Sequence, residues 1–155
     1  MKKILFVCTG NICRSPTAQA IARHKAQQLK LADKFSFDSA GTQGFHSGDL
    51  PDTRSMQVAK QRGISFDGIF SRRISATDFQ EFDLLMCMDR SHQAHLLQIS
   101  KPIYHDKIKL FLEFCQAKNP WNDEVIDPYY KGNQSFDMVF DVIDSALENL
   151  FRKPI

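Results

Sequence analysis

Long apolar stretches are missing from this sequence. Nowhere do the roughly 18 consecutive apolar residues of a membrane helix occur, and the run that follows Met1-Lys2-Lys3 ends at Val7, too short for a secretory h-region. An excess of one charge is missing too: 20 Lys and Arg stand against 18 Asp and Glu, a net charge of +2. That is too little for the phosphate-tracking stripe of a general nucleic-acid binder. Cysteine is sparse, with Cys8, Cys13, Cys87 and Cys115 alone, and none falls in a Cys-x2-Cys or His/Cys cluster with metal-ligand spacing. Without a leader these four read as catalytic, redox-active or core thiols in a reducing compartment, not as a disulfide framework or a zinc site. No Gly-x4-Gly-Lys-Ser/Thr occurs, which excludes a Walker A loop. What is present is an ordinary globular composition, 43% hydrophobic and 25% charged over 155 residues. The expectation is a single domain over 1–155, cytoplasmic, with no membrane span and no nucleic-acid partner.

The chain alternates short apolar runs with helical patterns. Lys3 to Val7 reads as a buried parallel strand. Ser15-Pro16 reads as a helix cap and first position, with a helix continuing to about Leu31. Phe35 to Asp38 is a second candidate strand, and Gly41 to Gly48 a loop. Asp52 caps a helix running to Gly63, Leu84 to Met88 is a third strand, and a helix follows from about Ser91 to Leu97. Ile103-Tyr104 is the candidate fourth strand, Ile108 to Cys115 a candidate helix, and Asn119 to Tyr130 a loop. Ser135 caps a final amphipathic helix carrying Phe136, Val139, Phe140, Ile143, Leu147 and Leu150. Such alternation implies an α/β, Rossmann-like fold in which a parallel sheet is covered on both faces and ligands sit beyond the carboxyl ends of its strands.

Cys8-Thr9-Gly10-Asn11-Ile12-Cys13-Arg14-Ser15 lies at one such end. Five residues between Cys8 and Arg14 let a loop wrap one tetrahedral anion, with amides pointing inward at the positive end of the following helix. Arg14 can hold two oxygens of that anion. A thiol among these donors is expected to ionise well below its free value of about 8.5 and to act as a nucleophile. The Ser15 hydroxyl can donate to its sulfur, and Gly10 and Asn11 suit left-handed backbone. The plain alternative is a buried strand-end cysteine and a solvated arginine; the strand, glycine, serine and proline around the motif weigh against it. A proton for a leaving group could come from Asp127, in the turn Asp127-Pro128-Tyr129-Tyr130, although Asp-Pro taken alone reads better as a turn start with surface tyrosines.

With both motifs in place, the chain resembles the low-molecular-weight protein tyrosine phosphatases. The resemblance spans nearly the whole length: Val7 to Pro16, Asp38-Ser39-Ala40-Gly41-Thr42, Pro51-Asp52-x-Arg54, Cys87-Met88-Asp89 and Asp127 to Tyr130. It implies a four-stranded parallel twisted sheet with flanking helices and a metal-free, cofactor-free, two-step hydrolysis of phosphotyrosine. Cys8 would be the nucleophile, Arg14 and the amides of Thr9, Gly10, Asn11, Ile12 and Cys13 the phosphate binders, and Asp127 the general acid and base, with inorganic phosphate as a product. Phe45 and Tyr129, with Tyr130 beside them, would wall the substrate ring; His46, next to Phe45 in the same loop, is a candidate for selecting phosphopeptides. Cys13 matches the family's second cysteine, which forms a reversible disulfide with the nucleophile under oxidation. The family's supporting histidine is missing from Ser65 to Arg73, where Gly68 stands in its place, leaving Asn11 and Ser39 to brace the loop with Ser15.

The expected partners are tyrosine-phosphorylated proteins, and the chain is expected to be a monomer, with weak self-association through Phe45 and Tyr129 as the alternative. His24, His92 and His95 read as solvated helix positions. Two rivals share the loop. An arsenate reductase needs a close resolving pair of cysteines, which Cys87 and Cys115 do not form. A non-catalytic phosphotyrosine-binding or redox-sensing module would not require Asp127.

Overall fold

The computed structural model describes residues 1–153. Ile4, Leu5, Phe6 and Val7 are all fully buried within strand β1 (Lys2–Cys8), which has apolar contacts on both faces, as a central parallel strand requires. β2 (Phe35–Gly41) pairs with one edge of β1, β3 (Leu84–Cys87) with the other, and β4 (Ile108–Leu110) lies outside β3. All three pairings are parallel, in the order β2-β1-β3-β4.

Strand periodicity then sorts the side chains into two layers. Ile4, Phe6, Leu84 and Met86 face α1 (Arg14–Gln28), α2 (Thr53–Gln61), α5 (Phe111–Phe114) and α6 (Gln134–Phe151). Leu5, Val7, Leu85 and Cys87 face α3 (Asp78–Glu81) and α4 (Arg90–Ile99). Because β1 has β2 on one side and β3 on the other, the chain reverses direction across the sheet beside its carboxyl end, the switch point where such folds hold ligands. Cys8 is the last residue of β1.

Several expected boundaries move. The strand expected at Ile103-Tyr104 is a 3₁₀ segment, Pro102–Lys107, and the helix expected from Ile108 begins instead as β4 and becomes helical only at Phe111. Pro102 presets a helical φ at the start of that segment and Ile103 is 79% exposed, whereas Ile108 and Leu110 are buried against β3. Runs this short carry no period that separates strand from helix. β2 runs three residues past Asp38, to Gly41. α3 was not anticipated, and α4 extends to Ile99 behind an Asp89 cap.

Ser15 and Ser135, both expected as caps, lie inside the first turns of α1 and α6; Cys13 and Asn133 occupy the cap positions. The Ser135 hydroxyl donates to the Gly132 carbonyl at 2.6 Å. Asp52 does cap α2, accepting from the Arg54 amide at 2.8 Å, and Gly63 follows that helix at φ +73.

The larger layer is nucleated by aromatics: the Phe6 ring stacks on Phe37 at 6.2 Å and meets Phe111 edge-on at 5.7 Å. Phe111 is fully buried between β4 and this layer. Phe111→Ala is therefore expected to lower the unfolding free energy by about 3–5 kcal/mol, read as a reduced urea midpoint at unchanged denaturant slope.

Candidate active site

The Cys8 to Arg14 loop is shaped by where its carbonyl groups go. The Cys8 oxygen accepts from the Thr42 amide at 2.9 Å, Thr9 from the Gln43 amide at 3.0 Å, and Ile12 from the Asp52 amide at 2.8 Å. Gly10 accepts from the Ser71 hydroxyl at 2.9 Å and Cys13 from the Thr17 hydroxyl at 2.7 Å. Every one of these acceptors is thus held by the surrounding body. A trans peptide is planar, so each outward carbonyl turns the next residue's N–H to the opposite side. The amides of Thr9, Gly10, Asn11, Cys13 and Arg14 therefore point into the loop, and among the described residues the N–H groups of 9–13 donate to no protein acceptor. Such a concavity of donors at a helix N-terminus can hold an anion.

Two small residues permit this closeness. A Cβ on Gly41 would lie 2.5 Å from the Thr9 carbonyl, so only glycine lets β2 run alongside the loop. Gly10, expected to need left-handed backbone, does not have it; a Cβ there would meet the His46 ring at 3.0 Å. Asn11 does adopt the left-handed conformation, at φ +56.

Asn11 is fully buried and holds its conformation from both ends of its amide. Its Oδ1 accepts from the Arg72 amide at 3.0 Å, and its Nδ2 donates to Ser15 Oγ at 2.8 Å. Since Ser15 Oγ accepts from Asn11, its own hydrogen is free for Cys8 Sγ, 2.9 Å away. Ser39, expected to brace the same loop, does not touch it; its hydroxyl donates to Gln19 Oε1 at 2.6 Å. The bracing comes from the segment after Gly68 instead. Ser71 holds the Gly10 carbonyl and the Arg72 amide holds Asn11, while the Arg72 guanidinium is fixed by Asp38 and Asp78, each at 3.0 Å. Gly68 itself, at φ +77, sits in a turn with open space around it.

Arg14 is 3% exposed, unlike a solvated helix-start residue. Its Nη1 donates to Asp89 Oδ2 at 2.8 Å and to the Val125 carbonyl at 2.9 Å, which aims the rest of the guanidinium at the loop. Burial by itself would raise the Asp89 carboxyl, but the His92 ring, the Ser91 hydroxyl and Arg14 outweigh it and hold it below the usual range. Asp127 enters from the loop before α6. Its Oδ1 accepts from the Tyr129 amide at 3.0 Å, an Asx turn, and its Oδ2 lies 3.7 Å from Arg14 Nη2.

Together these groups enclose a cleft of about 220 Å³, lined by Cys8, Thr9, Gly10, Ile12, Cys13, Arg14, Phe45, His46, Asp127, Tyr129 and Tyr130. Asn11 and Ser15 lie beneath it, and Ser39 is not part of it. Phe45 and Tyr130 are 80% and 87% exposed at the mouth, and Tyr129 is 38% exposed. Arg54, which has no site role in the sequence pattern, spaces this wall: its guanidinium lies 5.3 Å from the Tyr129 ring and 4.4 Å from that of Phe136, and is paired with Asp52 at 2.9 Å.

The four cysteines are free. Burial, followed by the nearby Asp52, pushes the Cys13 thiol up to about 12, so it stands beside Cys8 as a neutral thiol. Burial raises Cys115 to about 12 and Cys87 higher still; both are core residues. Among the described residues no three His, Cys, Asp or Glu are grouped to hold a metal ion.

His92 overturns its expectation as a solvated residue: it is 1% exposed. Its Nδ1 accepts from the Asp89 amide at 3.1 Å, closing a capping box at the start of α4, and its Nε2 lies 2.8 Å from Thr9 Oγ1. Because Nδ1 faces a backbone donor, the network assigns the proton of the neutral ring to Nε2. The sequence signal was available in Asp89-x-x-His92, a cap with a polar residue three positions on, but nothing in it pointed to Thr9.

A loop of inward amides flanked by a cysteine, a buried arginine and a carboxylate, at the switch point of a parallel sheet, defines a cysteine-based phosphatase architecture. Comparison gives the family. Residues 3–154 match the family described as low molecular weight phosphotyrosine protein phosphatase. YfkJ of Bacillus subtilis, a low molecular weight protein-tyrosine-phosphatase, is 37% identical over 150 residues, spanning 97% of this chain and 94% of that one. The crystal structure of a protein tyrosine phosphatase from Entamoeba histolytica superimposes with a TM-score of 0.92 at 39% identity, covering 99% of this chain and 96% of its own. A Drosophila arginine phosphatase structure is also similar, with a TM-score of 0.88 at 33% identity over 98% and 96% of the two chains. The chain belongs to the low molecular weight phosphotyrosine protein phosphatase family.

Burial, reinforced by Arg14, lowers the His92 ring from its ordinary 6.5 to about 4. Between those values the unfolded chain takes up a proton that the folded protein refuses, so stability is expected to fall as pH drops from 6.5 to 4 and this contribution to level off below that. The depressed carboxyls of Asp52 and Asp89 act further down. Calorimetric Tm values should follow this slope in the native protein and lose it in His92→Gln; equal slopes would assign the acid sensitivity elsewhere.

Proposed function

We propose that this protein hydrolyses phosphotyrosine in proteins through a phosphocysteine, with Cys8 as nucleophile, Arg14 and the loop amides as phosphate binders, and Asp127 as general acid and base. The observation that carries the reading is the outward pinning of the loop carbonyls, which supplies inward donors to stabilise charge on the equatorial phosphoryl oxygens. Cys8 attacks phosphorus in line, the S–P bond forms as the bond to the phenolic oxygen breaks, and Asp127 passes its proton to that oxygen. The Ser15 hydrogen, directed at Sγ by Asn11, stabilises the sulfur as nucleophile and again as leaving group. In the second step water attacks phosphorus, Asp127 takes its proton, and inorganic phosphate departs from the restored thiolate.

Phenols, with pKa values near 10, leave more readily than aliphatic alcohols, and the aromatic groups at the mouth suit a planar ring. Phe45, Tyr129 and Tyr130 would clamp it, with His46 and the exposed surface beside it meeting flanking residues of a tyrosine-phosphorylated protein. The chain would work as a cytoplasmic monomer, and no helix among the described residues is long and apolar enough to cross a membrane. Cys13, a neutral thiol in the same loop, would capture Cys8 after peroxide converts it to a sulfenic acid, forming a disulfide and releasing water.

Hydrolysis of p-nitrophenyl phosphate in EDTA should occur in the native protein and vanish in Cys8→Ser, which still binds inorganic phosphate. Asp127→Ala should slow phenyl phosphate esters about 10²- to 10³-fold without changing Tm. Normal turnover in either variant would overturn the mechanism. Phosphoarginine belongs in the substrate panel because of the Drosophila structure, and a preference for it over phosphotyrosine would reassign the substrate. Peroxide inactivation should be reversed by dithiol in the native protein and recovered less in Cys13→Ser; equal recovery would remove Cys13 from redox protection.

A further inference from the structure

Thr9 follows the nucleophile directly, and its side-chain oxygen lines the cleft, yet the mechanism above uses only its amide. That oxygen has two lone pairs and one hydrogen to place. His92 Nε2 lies 2.8 Å from it, and the ring proton is on Nε2 because Nδ1 accepts from the Asp89 amide. Arg14 Nη2 approaches the same oxygen at 3.5 Å. With both lone pairs facing donors, the hydroxyl hydrogen has no protein acceptor among the described residues, and the direction left to it is the cleft.

We infer that Thr9 Oγ1 is a further donor to the bound phosphoryl group, and that His92 is the positioning residue that orients it. The inference rests on the phosphatase reading for its substrate, but its geometry is independent of turnover. His92 is suited to this by rigidity: it is buried, clamped at Nδ1 by the start of α4, and that helix is capped by Asp89, which also holds Arg14. One short segment, Asp89 to His92, therefore sets two of the anion's ligands at once. Burial keeps the ring neutral down to about pH 4, so above that Nδ1 stays an acceptor for the Asp89 amide and the ring orientation that aims Nε2 at Thr9 is kept.

The test uses Thr9→Val, which removes the hydroxyl and keeps the shape, and two substitutions that divide the two jobs of the imidazole. His92→Asn keeps an acceptor near the Nδ1 position for the Asp89 amide but falls short of Thr9; His92→Gln places an amide donor near the Nε2 position. Inorganic phosphate affinity by calorimetry and kcat/KM on p-nitrophenyl phosphate should each fall about tenfold in Thr9→Val and in His92→Asn, and stay within about threefold of native in His92→Gln. The Thr9→Val/His92→Asn double variant should lose no more than the worse single variant, since the two residues act as one donor. Unchanged phosphate affinity in Thr9→Val, or additive losses in the double variant, would overturn the inference. Because calorimetry reads binding alone, a native protein that is inert yet loses phosphate affinity in Thr9→Val would refute the phosphatase reading and support this one.

Discussion

The site depends on one constraint, the planarity of the peptide bond acting through carbonyl groups tied to the body of the protein. Thr42 and Gln43 beyond β2, Asp52 before α2, Ser71 and Thr17 each hold one oxygen of the Cys8 to Cys13 segment. No single one of these contacts is special. Their joint effect is that the loop cannot turn its donors outward without breaking hydrogen bonds in several elements at once. Pre-orientation of this kind is what makes a ring of amides useful to a reaction, because the dipoles need no reorganisation when charge develops.

The same economy appears in the charged groups. A buried guanidinium is costly unless paired, and Arg14 is paired by Asp89 while the Val125 carbonyl fixes its remaining direction. Asp89 in turn caps α4, so a helix terminus, a counter-ion and the placement of Arg14 are parts of one arrangement. Arg72 does the equivalent on the other side: its side chain joins Asp38 of β2 to Asp78 of α3, and its amide holds the left-handed Asn11. The loop is therefore supported on that flank by Ser71 and Arg72.

Much of the architecture was legible because periodicity and punctuation reported it directly. The apolar run ending at Val7, the Asp52 cap with Gly63 beyond, and the apolar stripe of α6 lie where the sequence placed them. The failures share a cause. Ile103-Tyr104 and Ile108-Lys109-Leu110 are both short segments with two apolar side chains, and only the position of β3 decides which of them finds a strand to pair with. Ser15 and Ser135 have the chemistry of caps, but the Ser15 hydroxyl is engaged by Cys8 and Asn11 and the Ser135 hydroxyl by the Gly132 carbonyl, so neither caps its helix. His92, read as solvated from its helix alone, is buried because the residue beneath it is Thr9, 83 positions away.

What the sequence determined by itself is therefore the local chemistry: a cysteine at a strand end, an arginine at the spacing of one anion, a carboxylate in a proline turn, and strands and helices in alternation. These follow from residue type and short-range spacing, which fix backbone preference and reactivity. The tertiary structure decided which groups brace and aim that chemistry. Asp89, His92, Arg72 and Arg54 reach the loop or its wall only through strand order and helix placement. Ser39, which local pattern assigned to the loop, turns instead to Gln19 on α1. Contacts between residues far apart in the chain depend on the packing of whole elements, and no short window of sequence contains that information.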